Sequence, residues 1–338
     1  MKKFKKRALC AVMILAISVL TACGGTKPES ISFQAMDTLM TLTVYGDREI
    51  GAEIKDEILS LDKTLDATDE NSEIGHLNTE KSASVSGDTA DLLNRSLQLC
   101  DSLDGSFDIT IYPAVTAWGF GTGDYRVPDD SELKALSAAV DYTSVTLTGN
   151  TVTLPKDVTL DLGAVAKGYA ADKAIETLRH GKAQAAVLNL GGTIGLYGKK
   201  PDGSPFKVGV ADPENPAGYF GFLSCGEGVV ATSGGYERFF EKDGRRYIHI
   251  LDPDTAAPVD NHVASVTIIT DNGAKADAMS TALFVMGPDK AIEYYQDHDG
   301  FDCIILTDDG RLYVSEGVYD DFTLDSGFDY TIKKITKS

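Results

Sequence analysis

Apolar positions along the chain change period repeatedly, and the changes mark the elements. Phe33 to Tyr45 alternates and predicts a strand. Ile50, Ile54, Ile58, Leu61 and Leu65 recur at helical spacing and predict a helix over 48–65. Helices are predicted again at 89–103, ending at Asp104-Gly105, and at 131–140. Between them, "FDITIYP" reads as a short strand stopped by Pro113, and "AWGFGTGDYRVPDD" as a glycine-rich loop. Strands are predicted at 143–154 and 158–162. The stretch "LDLGAVAKGYAADKAIETL", 160–178, then starts as a strand, breaks at a glycine and runs into an amphipathic helix. Short strands follow at 185–190, 193–198, 206–211, 219–224, 228–232, 236–240 and 246–251. A strand at 263–270 leads to helices at about 274–286 and 288–297, and strands at 302–307 and 311–315 follow. Beyond Glu316 the pattern implies only a closing strand and tail. Strands dominate, helices come in pairs and βαβ alternation is poor, which predicts an α+β fold with mainly antiparallel sheet.

The N-terminus has a different character. "MKKFKKR" is basic, and Ala8 to Leu20 is an apolar run of thirteen residues. That run is too short to cross a hydrocarbon core of roughly 30 Å as a helix, and it fits the apolar centre of a signal peptide. "LTAC", Leu20 to Cys23, follows at once and resembles a bacterial lipobox. Residues 1–22 then form a lipoprotein signal peptide, Cys23 carries lipid, and 23–31 are a lipidated tether, with the folded domain over 32–338. The plainer alternative is an ordinary cleavage site with an incidental cysteine. The lipid reading places the protein on the cell membrane at its extracytoplasmic face.

Composition narrows the function. Apolar content of 43% and charge of 24% are ordinary for a globular protein. A net charge of −20 argues against nucleic acid and against an anionic lipid surface as partners. It also requires any anionic ligand to find local positive charge or a metal. Of the five cysteines, Cys100, Cys225 and Cys303 lie beyond the leader, without a CxxC pair or zinc spacing. They allow at most one disulfide and are expected to be buried small hydrophobes.

Three segments carry candidate chemistry. In "GAKADAMSTALFVMG", Asp277 and Thr281 are four apart and share a helix face, while Ala276, Met279 and Leu283 point to the core. A carboxylate and a hydroxyl are hard oxygens, which suit Mg²⁺ better than zinc or copper. Alternatively, Thr281 bonds its own helix and Asp277 is solvated. In "TSGGYERFFEKDGRRYIHILDPDTAAP", the glycines let backbone approach a ligand. His249 sits on a strand that ends at Asp252-Pro253 and points the same way as Tyr247 and Leu251. It is either a structural histidine or a site residue. "NLGG", Asn189 to Gly192, fails the dinucleotide fingerprint, and no nucleophile elbow is present.

Taken in order, "MDTLMTLTVYG", "DGSFDITIYPAVTAWGFG", "DLGAVAKGYAAD", "NLGG", "TSGGYERFF", "HILDPDT" and "DAMSTALFVMG" resemble the FAD:protein FMN transferase (ApbE-like flavin transferase) family over about 33–290. The resemblance implies a tunnelling-fold-like domain, Mg²⁺ dependence and FAD as substrate. The implied reaction moves FMN from FAD to a threonine or serine hydroxyl in a Ser-Gly-Ala-Thr-like motif of an acceptor flavoprotein, releasing AMP. By motif position, Asp277, Thr281 and the Ala164 carbonyl match metal ligands. Asp161 and Lys167 match FAD contacts, as do Met36, Ser106, Phe107, Asp108 and Leu251. His249 matches the histidine that assists the acceptor hydroxyl.

Three positions depart from the family pattern: Asp37 and Ala256 stand where glycine is usual, and Thr68 stands where a tyrosine often lines the flavin site. A smaller residue at 68 keeps FAD hydrolysis to FMN and AMP open as an alternative activity. A non-enzymatic flavin-binding lipoprotein is a third reading, which predicts flavin binding that survives without Asp277.

Overall fold

A computed structural model describes residues 28–338; the expected signal peptide and the lipidation site Cys23 lie outside the described residues. The elements run β1 (Glu29–Ala35), β2 (Thr38–Tyr45), α1 (Ile50–Leu65), α2 (Glu73–Glu80), β3 (Ser82–Ser84), α3 (Gly87–Ser102), α4 (Tyr112–Trp118), α5 (Asp130–Ser137), β4 (Thr146–Thr148), β5 (Thr151–Thr153) and α6 (Ala166–His180). They continue with β6 (Ala185–Asn189), β7 (Thr193–Gly198), β8 (Phe206–Ala211), β9 (Tyr219–Cys225), β10 (Gly228–Gly234), β11 (Phe239–Lys242), β12 (Arg245–Ile248), β13 (Leu251–Asp252), β14 (Ala257–Pro258) and β15 (Val263–Thr270). The chain closes with α7 (Gly273–Met286), α8 (Pro288–Asp297), β16 (Asp302–Thr307), β17 (Arg311–Ser315), β18 (Phe322–Leu324) and β19 (Thr331–Ile335).

A nine-stranded sheet, in the order β1-β2-β6-β7-β10-β15-β16-β17-β19, forms the centre. Its pairings are antiparallel except β17 with β19, so the fold is α+β as the periodicity implied. Strand alternation divides the core. Val229, Ala231, Val266, Ile268 and Ile305 face a layer that includes α1, α6 and α7. Val230, Ile304 and Leu306 face the opposite side, under the small β18-β9-β8 sheet. A register slip of one residue would exchange the two faces. No helix among the described residues is long and apolar enough to cross a membrane.

Several sequence expectations need correction. Phe33–Tyr45 is not one strand. Met36 and Asp37 both adopt positive φ and turn the chain between β1 and β2, as a two-residue hairpin requires. That turn uses no glycine, so the usual signal was missing. Glu29–Ile31, expected in the tether, are the first residues of β1. "FDITIYP" is not a strand. The Asp108 carboxylate accepts from the Thr110 N–H and hydroxyl, both at 2.7 Å, which folds the segment into a turn. Pro113 then lies in the first turn of α4, where its missing N–H costs nothing. The expected strand at 158–162 survives only as a bridge between Ile111 and Thr159, and 143–154 divides into β4 and β5. Helix α2 was not predicted; Ser72 caps it by accepting from the Gly75 N–H at 2.8 Å. Cys100, Cys225 and Cys303 are free thiols, the first and last buried and Cys225 half-buried.

The crossing of α6 and α7 positions the rest. A Cβ on Gly168 would lie 2.0 Å from the Gly273 carbonyl oxygen, and one on Gly273 would lie 2.2 Å from that of Gly168. The two backbones therefore touch. Asp172 of α6 accepts from the Gly273 and Ala274 N–H groups, capping α7 from its neighbour. Replacing Gly168 by alanine should force the helices apart and lower stability by about 3 kcal/mol or more, the upper end of overpacking costs. The midpoint of urea unfolding measures it, and an unchanged midpoint would contradict this account of the crossing.

Candidate active site

Every candidate site residue among the described residues lines one cleft. Its wall is built from segment ends: the β1–β2 turn supplies Met36, the loop after α1 supplies Thr68, and the loop before α4 supplies Ser106, Phe107 and Asp108. The turn into α6 supplies Asp161, Ala164 and Lys167, α7 supplies Asp277 and Thr281, and the run after β12 supplies His249 and Leu251.

The α6–α7 crossing places Asp277 against the start of α6. Its Oδ2 accepts from the Gly168 N–H at 3.0 Å, and its Oδ1 accepts from the Thr193 hydroxyl of β7 at 3.0 Å. Gly168 is the third residue of α6, and the first N–H groups of a helix have no carbonyl within it to bond. Asp277 supplies that partner, and Ala164 belongs to the turn just ahead of the helix, in the wall of the same cleft. The Thr281 hydroxyl lies 3.3 Å from the Ser233 hydroxyl and 3.5 Å from the Asp277 carbonyl. Lys167 Nζ stands 3.9 Å from Asp277 Oδ2, so the carboxylate presents its remaining lone pairs to a cationic group. Carboxylate, hydroxyl and carbonyl form an all-oxygen donor set that fits Mg²⁺. Among the described residues there is no cluster of three histidine, cysteine or acidic side chains, and thus no soft or polycarboxylate site.

Charge along the cleft is uneven. Asp161 accepts from the Gly163 N–H at 2.7 Å. Desolvation holds its carboxyl above the usual range, against the Gly163 bond and the positive charges of Arg238 and Lys167. His249 Nδ1 lies 3.1 Å from the Arg238 carbonyl oxygen. A carbonyl only accepts, so Nδ1 carries the proton and Nε2 keeps a free lone pair. Desolvation, reinforced by Arg238 and Lys167, pushes this imidazole down to about 4. His249 is thus neutral through the physiological range. Glu237 is solvent-accessible but sits in the concavity, its Oε1 only 3.1 Å from where a Cβ on Gly192 would be. Desolvation and the Asp277 charge push it up to about 7, while Lys167 and Arg238 oppose.

Other expected contacts are partly occupied by the protein itself. Beyond its bonds to Thr110, Asp108 accepts from the Tyr142 N–H at 3.2 Å and braces its loop. The Met36 N–H donates to Asp62 at 2.8 Å, holding the hairpin turn over the cleft. Thr68 is exposed and its hydroxyl is tied to Asp66 at 2.7 Å. The departures have physical counterparts. Asp37 tolerates the left-handed conformation at φ +59° and pairs with Arg238 at 3.1 Å. Ala256 adopts φ +53°, where glycine would be less strained, and its carbonyl accepts from Trp118 Nε1 at 2.8 Å.

Sequence reasoning missed Thr193, Ser233, Glu237 and Arg238. Thr193 follows "NLGG", and Ser233, Glu237 and Arg238 lie within "TSGGYERFF", which was a usable signal. What Glu237 and Arg238 do there was not readable, because it depends on charges distant in sequence.

A family model described as the ApbE family matches residues 36–305. The chain is 30% identical to an FAD:protein FMN transferase of Haemophilus influenzae over 94% of this chain and 99% of that protein. It is 32% identical to one of Treponema pallidum, over 91% and 93%. The crystal structure of the ApbE protein of Thermotoga maritima superposes with a TM-score of 0.81 at 31% identity, covering 86% of this chain and 98% of that one.

The raised Glu237 carboxyl makes a signed prediction. Its folded-state value lies above the ordinary 4.5, so the stability it contributes is present at low pH and lost as pH rises through about 7. Glu237→Gln removes that loss. The variant's urea midpoint should gain on the wild type between pH 5 and pH 8; a constant difference would contradict the assignment.

Proposed function

The chain belongs to the ApbE family, and from that premise we propose that it transfers FMN from FAD to a threonine or serine hydroxyl of an acceptor protein, releasing AMP. One observation carries the reading. Asp277 accepts from the Gly168 N–H at the start of α6, which sets the carboxylate against the turn that carries Ala164, with Thr281 and Lys167 lining the same cleft. The relatives from H. influenzae and T. pallidum bear the name FAD:protein FMN transferase, and flavin transfer is the activity this family membership supports.

In the proposed reaction the acceptor oxygen attacks the FMN phosphorus. A new P–O ester forms, the P–O bond to the AMP phosphate breaks, and AMP leaves with that electron pair. Asp277, Thr281 and the Ala164 carbonyl would hold Mg²⁺. When bound, the ion supplies Lewis-acid stabilisation of charge on the pyrophosphate. Lys167 and the first N–H groups of α6 favour the anionic dinucleotide in an otherwise acidic protein. His249 Nε2 receives the proton of the acceptor hydroxyl. Its low basicity comes partly from Arg238 and Lys167, and a bound pyrophosphate offsets both cations, so substrate raises the basicity of the histidine when it is needed. Most of the rate effect is positioning and electrostatics.

FAD hydrolysis to FMN and AMP is a second reading. It is favoured by Thr68, a small exposed residue whose hydroxyl is turned to Asp66, which leaves that wall of the cleft open to water. Lipid anchoring through Cys23 at the extracytoplasmic face, and an acceptor with a Ser-Gly-Ala-Thr-like motif, complete the proposal. The anchor is supported by the apolar run Ala8–Leu20 ahead of "LTAC".

Incubation with FAD, Mg²⁺ and a candidate acceptor domain should add one FMN to the acceptor by intact mass. Asp277→Ala should abolish the adduct, and His249→Asn should slow it by roughly 10²–10⁴-fold with FAD binding retained. Free FMN and AMP beside an unmodified acceptor would favour hydrolysis. Transfer unaffected by Asp277→Ala would contradict the metal assignment.

A further inference from the structure

The β11–β12 ribbon next to His249 has an unused edge. Each strand has only the other as partner, in the register Phe239↔Ile248 to Lys242↔Arg245. The His249 N–H donates to the Arg238 carbonyl at 3.0 Å, continuing that register. Bonded pairs alternate along an antiparallel ladder. Phe240↔Tyr247 and Lys242↔Arg245 therefore turn their backbone groups inward, and Arg246 and Ile248 turn theirs outward.

Beyond His249 the same edge is closed: the Ile250 carbonyl accepts from the Val259 N–H at 3.0 Å, and β13 pairs with β14. The returning chain then leaves to enter β15, where Val263 pairs with Thr307 of β16. A groove remains between Gly244–Ile248 on one side and Asp260–Ala264 on the other, continuous with the cleft at His249. Among the described residues the exposed Arg245–Asp260 pair, at 3.2 Å, is the one ion pair that crosses it, and such a surface pair yields at little cost.

We propose that this groove receives the acceptor polypeptide as an added strand, hydrogen-bonded to the outward N–H and C=O groups of Arg246 and Ile248. The inference rests on the transferase reading and names how its protein substrate is held. Three features select that occupant. An acceptor hydroxyl must reach His249, and β12 runs straight to it. Val259 blocks the edge just past that point, so an added strand must turn off where its hydroxyl is needed. The whole concavity encloses about 2370 Å³, well beyond the roughly 300–1,000 Å³ of ordinary small-molecule pockets. Strand addition supplies affinity from the main chain, which suits an enzyme that modifies a short motif.

The test is Arg246→Pro, with Arg246→Ala as control. Proline deletes one outward N–H and no internal ladder bond, and an edge strand tolerates it. The substrate is a synthetic peptide with a central Ser-Gly-Ala-Thr segment and several residues on either side. Arg246→Pro should lower kcat/KM for peptide flavinylation by roughly tenfold beyond the alanine control, with FAD affinity unchanged. A proline variant within about twofold of the control overturns the proposal. If the wild-type chain flavinylates no peptide, the transferase reading itself is in question, and amide exchange then decides the groove separately. Protection of the Arg246 and Ile248 amides on adding peptide supports strand addition, and unchanged exchange overturns it. Protection before any peptide is added assigns the edge to this chain's own residues 1–27 or to a second copy, and also overturns it.

Discussion

The candidate site depends on two helices touching through bare backbone. At Gly168 and Gly273 neither α6 nor α7 carries a side chain, and each carbonyl occupies the space where the other's Cβ would be. That closeness lets an α7 carboxylate, Asp277, take a backbone N–H from the first turn of α6. The same bond sets Asp277 against the turn that carries Ala164, just ahead of α6. Thr193 of β7 completes the clamp on the other carboxylate oxygen, so the sheet and both helices converge on one group. Asp277 is nearly buried, and a buried carboxylate needs such partners.

An acidic protein that is to bind a dinucleotide must place its few useful cations well. Lys167 lies at the start of α6 and faces Asp277, while Arg238 braces the hairpin turn through Asp37. The pair also sets the protonation of the neighbouring groups. They lower the basicity of His249, and they moderate the rise at Glu237 and Asp161 that desolvation causes. The cleft thus keeps a neutral imidazole with a free Nε2 beside carboxyls of raised pKa. Separation of acid and base character of this kind is typical of catalytic sites.

Much of this was legible in the sequence. The α+β class followed from the count and spacing of short strands, and the helices α1, α3, α6, α7 and α8 followed from apolar periodicity. The shared face of Asp277 and Thr281 followed from their i,i+4 spacing. The nearness of the Ala164 turn to Asp277 was not readable from spacing, because it arises from a bond between residues 109 positions apart. The resemblance to a family supplied it instead. The hairpin at Met36 escaped because its turn has no glycine, and "FDITIYP" misled because side-chain bonds from Asp108 override its alternation. Glu237 and Arg238 lie inside the quoted "TSGGYERFF", yet their electrostatic part was not legible there, since charges distant in sequence define it.

The central claim is that the α6–α7 crossing builds a hard-cation site from Asp277, Thr281 and the Ala164 carbonyl. Its most direct test is electron paramagnetic resonance of Mn²⁺, a Mg²⁺ surrogate, titrated into the folded domain and into Asp277→Asn. The account predicts a Mn²⁺ site that Mg²⁺ competes for and that the asparagine variant loses while its fold is retained. Equal Mn²⁺ binding by the two proteins would contradict it.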